Sequence, residues 1–251
     1  MIAVPSRAAG APPAGFPLAA AAASAHPSAG PRVIGWRFPA LPAVVVDAAS
    51  TAWGVTVVAD ETAPDPRDGQ AFSALLAHAR FEQVVRALAK RTNLVLPAAT
   101  ALVVGAGPIA ETIAASLSAG GTRMIRVVDS PVARLRAHLA GTRTSSASAA
   151  LPAADLLIAT GEGHAPVDPA ARPGVAIDAS LDGTGLIPAS GDTVRPFVQR
   201  LAPHSWLVAP PEWFTAADGT PGRIADLLVA LSILRAHTDD ADGALAELVL
   251  S

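Results

Sequence analysis

Cysteine and tyrosine are both absent from this 251-residue sequence, and lysine occurs once, at Lys90. Without cysteine there are no disulfides, no thiolate metal ligands and no thiol nucleophile. Without tyrosine there is no phenol to serve as a proton donor, and lysine-based catalysis has a single candidate. Aromatic residues make up 4% of the chain and charged residues 16%. No apolar run approaches the roughly 20 residues that cross a bilayer. The net charge is −3 with no basic block, so neither nucleic acid nor membrane is expected as a partner, and no metal site is expected.

Aliphatic residues are plentiful instead. At 51% hydrophobic content the chain can bury a substantial core, as one large α/β domain or one domain with a partial second. Residues 1–30 are rich in Ala, Pro and Ser, and their apolar part, 16–25, contains Pro17 and is mostly alanine. It imitates a signal peptide only loosely and reads as a disordered tail, which places the protein in the cytoplasm.

Short β-branched runs at 33–34, 43–46 and 55–58, separated by Pro and Gly, predict strands. Residues 61–69 form a polar, proline-bearing loop. Over 71–90, Phe72, Leu75, Leu76, Phe81, Val84, Val85 and Leu88 recur at helical spacing and predict a helix that could connect two lobes. From 101 onward the pattern alternates. Strands are expected at 101–104, 124–128, 155–159, 175–178 and 206–209. Helices are expected at 108–119, 131–140 and 221–238, with a short final helix over 240–250. This alternation predicts a doubly wound parallel sheet of Rossmann type, carrying a truncated N-terminal α/β lobe over 31–90, with the nucleotide domain spanning 91–251. Thr220 is a candidate cap for the helix at 221–238, with Pro221 in its first position.

The most informative stretch is 101–110, an apolar strand followed by Gly105, Gly107, Pro108, Ile109 and Ala110. That order sets a dinucleotide pyrophosphate on a helix N-terminus: the first glycine turns the chain, the second lets the backbone approach phosphate, and a small third residue packs helix on strand. Asp129 follows the next strand, about 20 positions on, where an acid would hold ribose hydroxyls and disfavour a 2′-phosphate. NAD is therefore the expected cofactor, although Arg123, Arg126 and Arg134 lie close in sequence. The alternative is a purely structural strand–turn–helix. Ligands of such sheets bind at strand carboxyl ends, which adds the loops Thr160-Gly161-Glu162-Gly163-His164 and Asp178-Ala179-Ser180. Glu162 and His164 form a possible acid/base pair, with Asp178 beside them; Thr160, Gly161 and Asp178 are also expected to line the cofactor. Taken singly, Glu162 and His164 also read as solvated loop residues. Glu212, Trp213, Phe214 and Asp218 precede the long helix as pocket wall or core.

From Lys90 onward the order of segments resembles adenosylhomocysteinase, the S-adenosylhomocysteine hydrolase family. The matching pieces are Arg91-Thr92-Asn93, residues 101–110, Leu157-Ile158-Ala159-Thr160-Gly161, Val175-Ala176-Ile177-Asp178, residues 193–200 and residues 219–226. Upstream, residues 42–51 carry a weaker likeness. The resemblance implies a Rossmann NAD domain. It also implies a reaction that begins by oxidising a ribose 3′-hydroxyl and continues by elimination and hydration. Departures fall on the chemistry: the family's catalytic lysine is Ala52 here, its His-Pro is Thr220-Pro221, its Gly-His-Phe is Ser180-Leu181-Asp182, and its ribose-binding glutamate aligns with Val128. Two readings follow. One is an NAD-dependent oxidoreductase, lyase or hydrolase acting on a nucleoside or related sugar alcohol. The other is a non-catalytic NAD-binding subunit paired with a separate substrate-domain protein. The 221–238 helix is apolar almost all round, which predicts burial on every side and a homo- or hetero-oligomer.

Overall fold

The computed structural model describes residues 14–27, 32–37, 43–146, 154–171, 174–210, 213–214 and 221–251. The chain divides into two compact units, residues 1–76 with 212–251, and residues 77–211.

In the second unit the C-terminal part of α3 (Gln70–Arg91) leads into β3 (Thr100–Val104), α4 (Pro108–Ala119), β4 (Arg123–Val127), α5 (Pro131–Leu139) and β5 (Arg143–Ser145). Then come β6 (Leu156–Ala159), β7 (Gly174–Asp178), β8 (Asp192–Arg195), β9 (Val198–Ala202) and β10 (Ser205–Val208). The strands form one sheet in the order β5-β4-β3-β6-β7-β10-β9-β8. β5 to β10 run parallel across the first six positions. β9 and β8 add an antiparallel edge. Chain order reverses between β3 and β6, the switch point where such sheets open a crevice at their carboxyl ends. β3 and β6 are central and read as unbroken apolar runs because both faces are covered; Leu102, Val104, Leu157 and Ala159 join Ile125 and Val127 in one buried cluster. The expected fold class stands. Among the described residues the β6–β7 connection contains no helix. β5, β8 and β9 carry no apolar alternation; every residue of β8 is exposed, so the periodicity that reveals a strand is missing there.

The first unit contains α1 (Pro17–Ala25), β1 (Arg32–Trp36), α2 (Ala43–Trp53), β2 (Val55–Ala59), α6 (Arg223–His237) and α7 (Ala241–Leu250). β1 and β2 pair in parallel with α2 between them in sequence, a small α/β lobe. Three expectations change here. Residues 43–46, expected as a strand, open α2: Val45 and Ala49, one turn apart, are fully buried, so helical spacing outweighs β-branching. Residues 17–25, expected to be disordered, form α1. Its N-terminus is capped by Asp226 of α6, whose carboxylate accepts from the Leu18 and Ala19 amides at 3.0 and 2.9 Å, and it buries Ala19 and Ala22. Finally, α6 is buried on all sides, but by its own chain. It packs against α1, α2, α7, β1 and β2, so residues 212–251 group with the N-terminal segments rather than with the sheet domain assigned to 91–251. The apolar face that argued for a second copy is thereby covered. The helix expected over 221–238 starts later, at Arg223 with Gly222 as its N-cap, so Pro221 does not hold its first position; Thr220, the expected cap, lies outside the described residues, as do Glu212 and Asp218.

Burial raises the Asp226 carboxyl above its ordinary value of 3.8, opposed by the Ala19 and Leu18 amides and Arg223. A raised folded value means that the folded state holds the proton more tightly. The stability from this group is complete below the ordinary value and is lost as pH rises through the raised one. Asp226→Asn should remove that slope from the pH profile of urea midpoints. Asp226→Ala should cost about 1–3 kcal/mol, because two amides lose their acceptor; an unchanged midpoint would contradict the capping role.

Candidate functional site

The glycine turn sits at the carboxyl end of β3, beside the switch point. Gly105 has φ +137°, in the region open to glycine, and a Cβ there would collide with the Thr160 hydroxyl. Its N–H donates to the Val127 carbonyl at 3.1 Å. Gly107 stands at the N-cap of α4 with an ordinary φ of −98°; here it is close approach that requires glycine, since a Cβ would collide with the Glu162 carboxylate. Pro108 opens the helix, where its missing N–H costs nothing.

Glu162 is the surprise of the site. Its two carboxylate oxygens accept from the Ile109 and Ala110 amides at 3.1 and 2.8 Å, and its own carbonyl accepts from the Ala106 amide at 2.8 Å. A side chain read as an acid/base candidate is thus the anion on the α4 N-terminus, where unsatisfied amides and the helix dipole favour negative charge. Burial pushes its carboxyl above the usual range, while the Ala110 and Ile109 amides, Thr160 and Arg126 pull it down. Thr160 is buried, and its hydroxyl donates to the Val104 carbonyl at 3.0 Å.

Arg126 completes the anion environment. It is 5% exposed, and its Nη2 donates to the Gly105 carbonyl at 2.8 Å. Its Nε is buried without a hydrogen-bond partner. Burial lowers the guanidinium from its ordinary value, and Glu111 and Glu162 oppose that. In sequence Arg126 stood only as a possible 2′-phosphate ligand; its residue type, one β4 position before Val127, was the available signal.

His164 and Glu162 do not form a pair. The His164 ring turns to Asp129 instead, with Nε2 at 3.6 Å from the carboxylate, and Nδ1 donates to the Ala165 carbonyl at 2.5 Å. Asp129 itself is half exposed. Gly161 lies against Ser180, with φ +70°. Asp178 ends β7 and is fully engaged in the turn beyond it. One oxygen accepts from the Ser180 amide and hydroxyl at 2.8 and 2.6 Å, the other from the Leu186 amide at 3.2 Å. Beneath that turn lies Arg80 of α3, at 0% exposure, which donates to the Ala179 and Ser180 carbonyls. The sequence signal for Arg80 was its position: it interrupts the spacing of Phe72, Leu76, Val84 and Leu88, all buried. The structure therefore brings Gly105, Gly107, Pro108, Ile109, Ala110, Thr160 and Glu162 together. It places Asp129 with His164, and gives Asp178 a turn-forming role.

A scan against protein-family models finds no match, and a comparison with curated protein sequences finds none either. Solved structures do match. The A chain of dipicolinate synthase from Bacillus subtilis superposes with a TM-score of 0.51 at 15% identity, covering 87% of this chain and 66% of that one. An L-alanine dehydrogenase superposes with a TM-score of 0.50 at 14% identity, covering 88% of this chain and 65% of that one. At this identity the likeness establishes the Rossmann-type α/β fold, and the chain spans just under two thirds of the length of these structures. Neither of them is an adenosylhomocysteinase, so the sequence resemblance carries over as a related fold.

Proposed function

We propose that this chain binds NAD(H) at the carboxyl ends of β3 and β4 and belongs functionally with the NAD-dependent oxidoreductases. One observation carries the reading: the anion position at the α4 N-terminus is fully built. Two amides, on which Glu162 now sets its carboxylate, and a glycine that clears the approach form it, and the buried Arg126 guanidinium acts on it electrostatically from the Gly105 carbonyl, which is the chemistry a pyrophosphate requires. Asp129 at the end of β4 supplies an acceptor for ribose hydroxyls. The fold shared with a dehydrogenase supports the reading by analogy of fold alone. Bound there, the nicotinamide would supply a hydride acceptor; the chain's own share is to hold the phosphates through Ile109 and Ala110 and to hold the ribose through Asp129.

The substrate follows from the sequence resemblance to adenosylhomocysteinase: a nucleoside or related sugar alcohol, oxidised at a ribose hydroxyl. A second reading has its own support. Glu162, His164 and Asp178 are all engaged with protein groups, which favours an NAD-binding subunit that leaves chemistry to a partner.

Titration calorimetry with both cofactors tests the assignment. NAD should bind at least about tenfold more tightly than NADP, because a 2′-phosphate would face the Asp129 carboxylate. Arg123 sits at the opposite end of β4 and Arg126 is turned onto Gly105, which leaves Arg134 in α5 as the one of the three arginines that a 2′-phosphate could still meet. Tighter binding of NADP would overturn the NAD assignment, and binding of neither would overturn the function.

A further inference from the structure

The segment leaving β6 covers both halves of the proposed nucleotide site. Glu162 places a carboxylate on the Ile109 and Ala110 amides, where the pyrophosphate would sit. Two residues on, His164 lies against Asp129, where the ribose would sit; its side chain is 7% exposed. The Ala106 amide fastens the same segment to the glycine turn through the Glu162 carbonyl. Gly161 and Gly163, flanking Glu162, have φ of +70° and +61°, so the backbone on either side of the carboxylate is in the left-handed region.

We infer that residues 160–164 are an internal occupant of the nucleotide site, and that Glu162 is the residue that sets nucleotide affinity by competing with the pyrophosphate for the α4 N-terminus. The inference rests on the NAD reading above and adds its regulation. The competition is specific in its chemistry. An anion is replaced by an anion, and a ring nitrogen facing the acid is replaced by a hydroxyl. Arg126 stays in place through the exchange, because its Nη2 is held by a backbone carbonyl of the turn itself. A dinucleotide then binds only to molecules in which Glu162 has left. Its apparent affinity is reduced by the fraction of molecules so opened.

The experiment compares NAD binding by calorimetry for the full chain, Glu162→Gln, Glu162→Ala and His164→Ala, with thermal melts to confirm folding. Removing the carboxylate should tighten binding by about tenfold or more, Glu162→Ala most, with a smaller gain for His164→Ala. A second measurement needs no variant. On adding NAD to the unmodified protein, amide exchange over 160–164 should speed up, while the Ile109 and Ala110 amides stay protected. If the unmodified protein binds NAD as tightly as Glu162→Ala, or if 160–164 become more protected on binding, this inference fails and the NAD reading stands. If NAD binds to none of the folded proteins, both fail, since the vacated site should accept it.

Discussion

Gly107→Val is expected to abolish nucleotide binding while leaving the sheet domain folded. The Cβ of any residue at 107 meets the Glu162 carboxylate, and valine adds two methyl groups over the Ile109 and Ala110 amides. Both the internal carboxylate and an incoming phosphate are excluded from the same amides. Backbone strain is not the cause, because φ at 107 is −98°, which valine adopts freely. NAD affinity should fall by more than about 100-fold, equal to roughly 2.8 kcal/mol. The melt should shift only by the loss of one helix cap, about 1 kcal/mol. Adding Glu162→Ala to Gly107→Val should not restore binding, since the methyl groups remain. Calorimetry and circular dichroism on the two variants decide the matter: NAD affinity equal to that of the parent would reduce the glycine turn to a structural element.

Arg80→Ala is expected to destabilise the sheet domain severely. The guanidinium is at 0% exposure and satisfies the Ala179 and Ser180 carbonyls at the start of the turn after β7. Burial opposes its charge, and Asp178, Asp182 and Glu162 offset that opposition. An arginine keeps its proton in proteins, so this is a buried charge held by backbone acceptors and nearby carboxylates. Removing it leaves two carbonyls without that donor and takes a nearby positive charge from Asp178, Asp182 and Glu162. Breaking such an arrangement costs about 3–5 kcal/mol, a large part of the roughly 5–15 kcal/mol that holds an ordinary domain. Arg80→Lys should recover only a fraction, since an ammonium cannot span both carbonyls with a planar fork. Urea denaturation measures both; a loss below about 1 kcal/mol for Arg80→Ala would show that the turn stands without it.

Elements whose causes lie within a few residues were legible. α4 runs over Pro108–Ala119, the limits the sequence suggests, because proline at its first position and Gly120 just past its end are local signals. β3 and β6 announce themselves as apolar runs because central parallel strands are buried on both faces. β8 carries no such signal, and its edge position is decided by pairing with β9. The valines at 44–46 favour a strand locally and form a helix because α2 buries Val45 and Ala49 against its unit.

By itself the sequence determined the strand–turn–helix at 100–119, the alternating pattern of the sheet domain and the need for α6 to be buried, since each follows from backbone geometry or side-chain periodicity over one or two turns. Only the tertiary structure decided what meets at those places. Asp226 caps a helix 207 residues earlier in the chain, which turns an alanine-rich stretch from a tail into α1 and covers α6 within its own chain. Glu162 reaches the Ala110 amide across 52 residues, which turns an acid/base candidate into the anion of the glycine turn. A carboxylate has the same chemistry in either setting. Which amides it finds depends on how the sheet brings the ends of β3 and β6 side by side, and no local pattern encodes that distance.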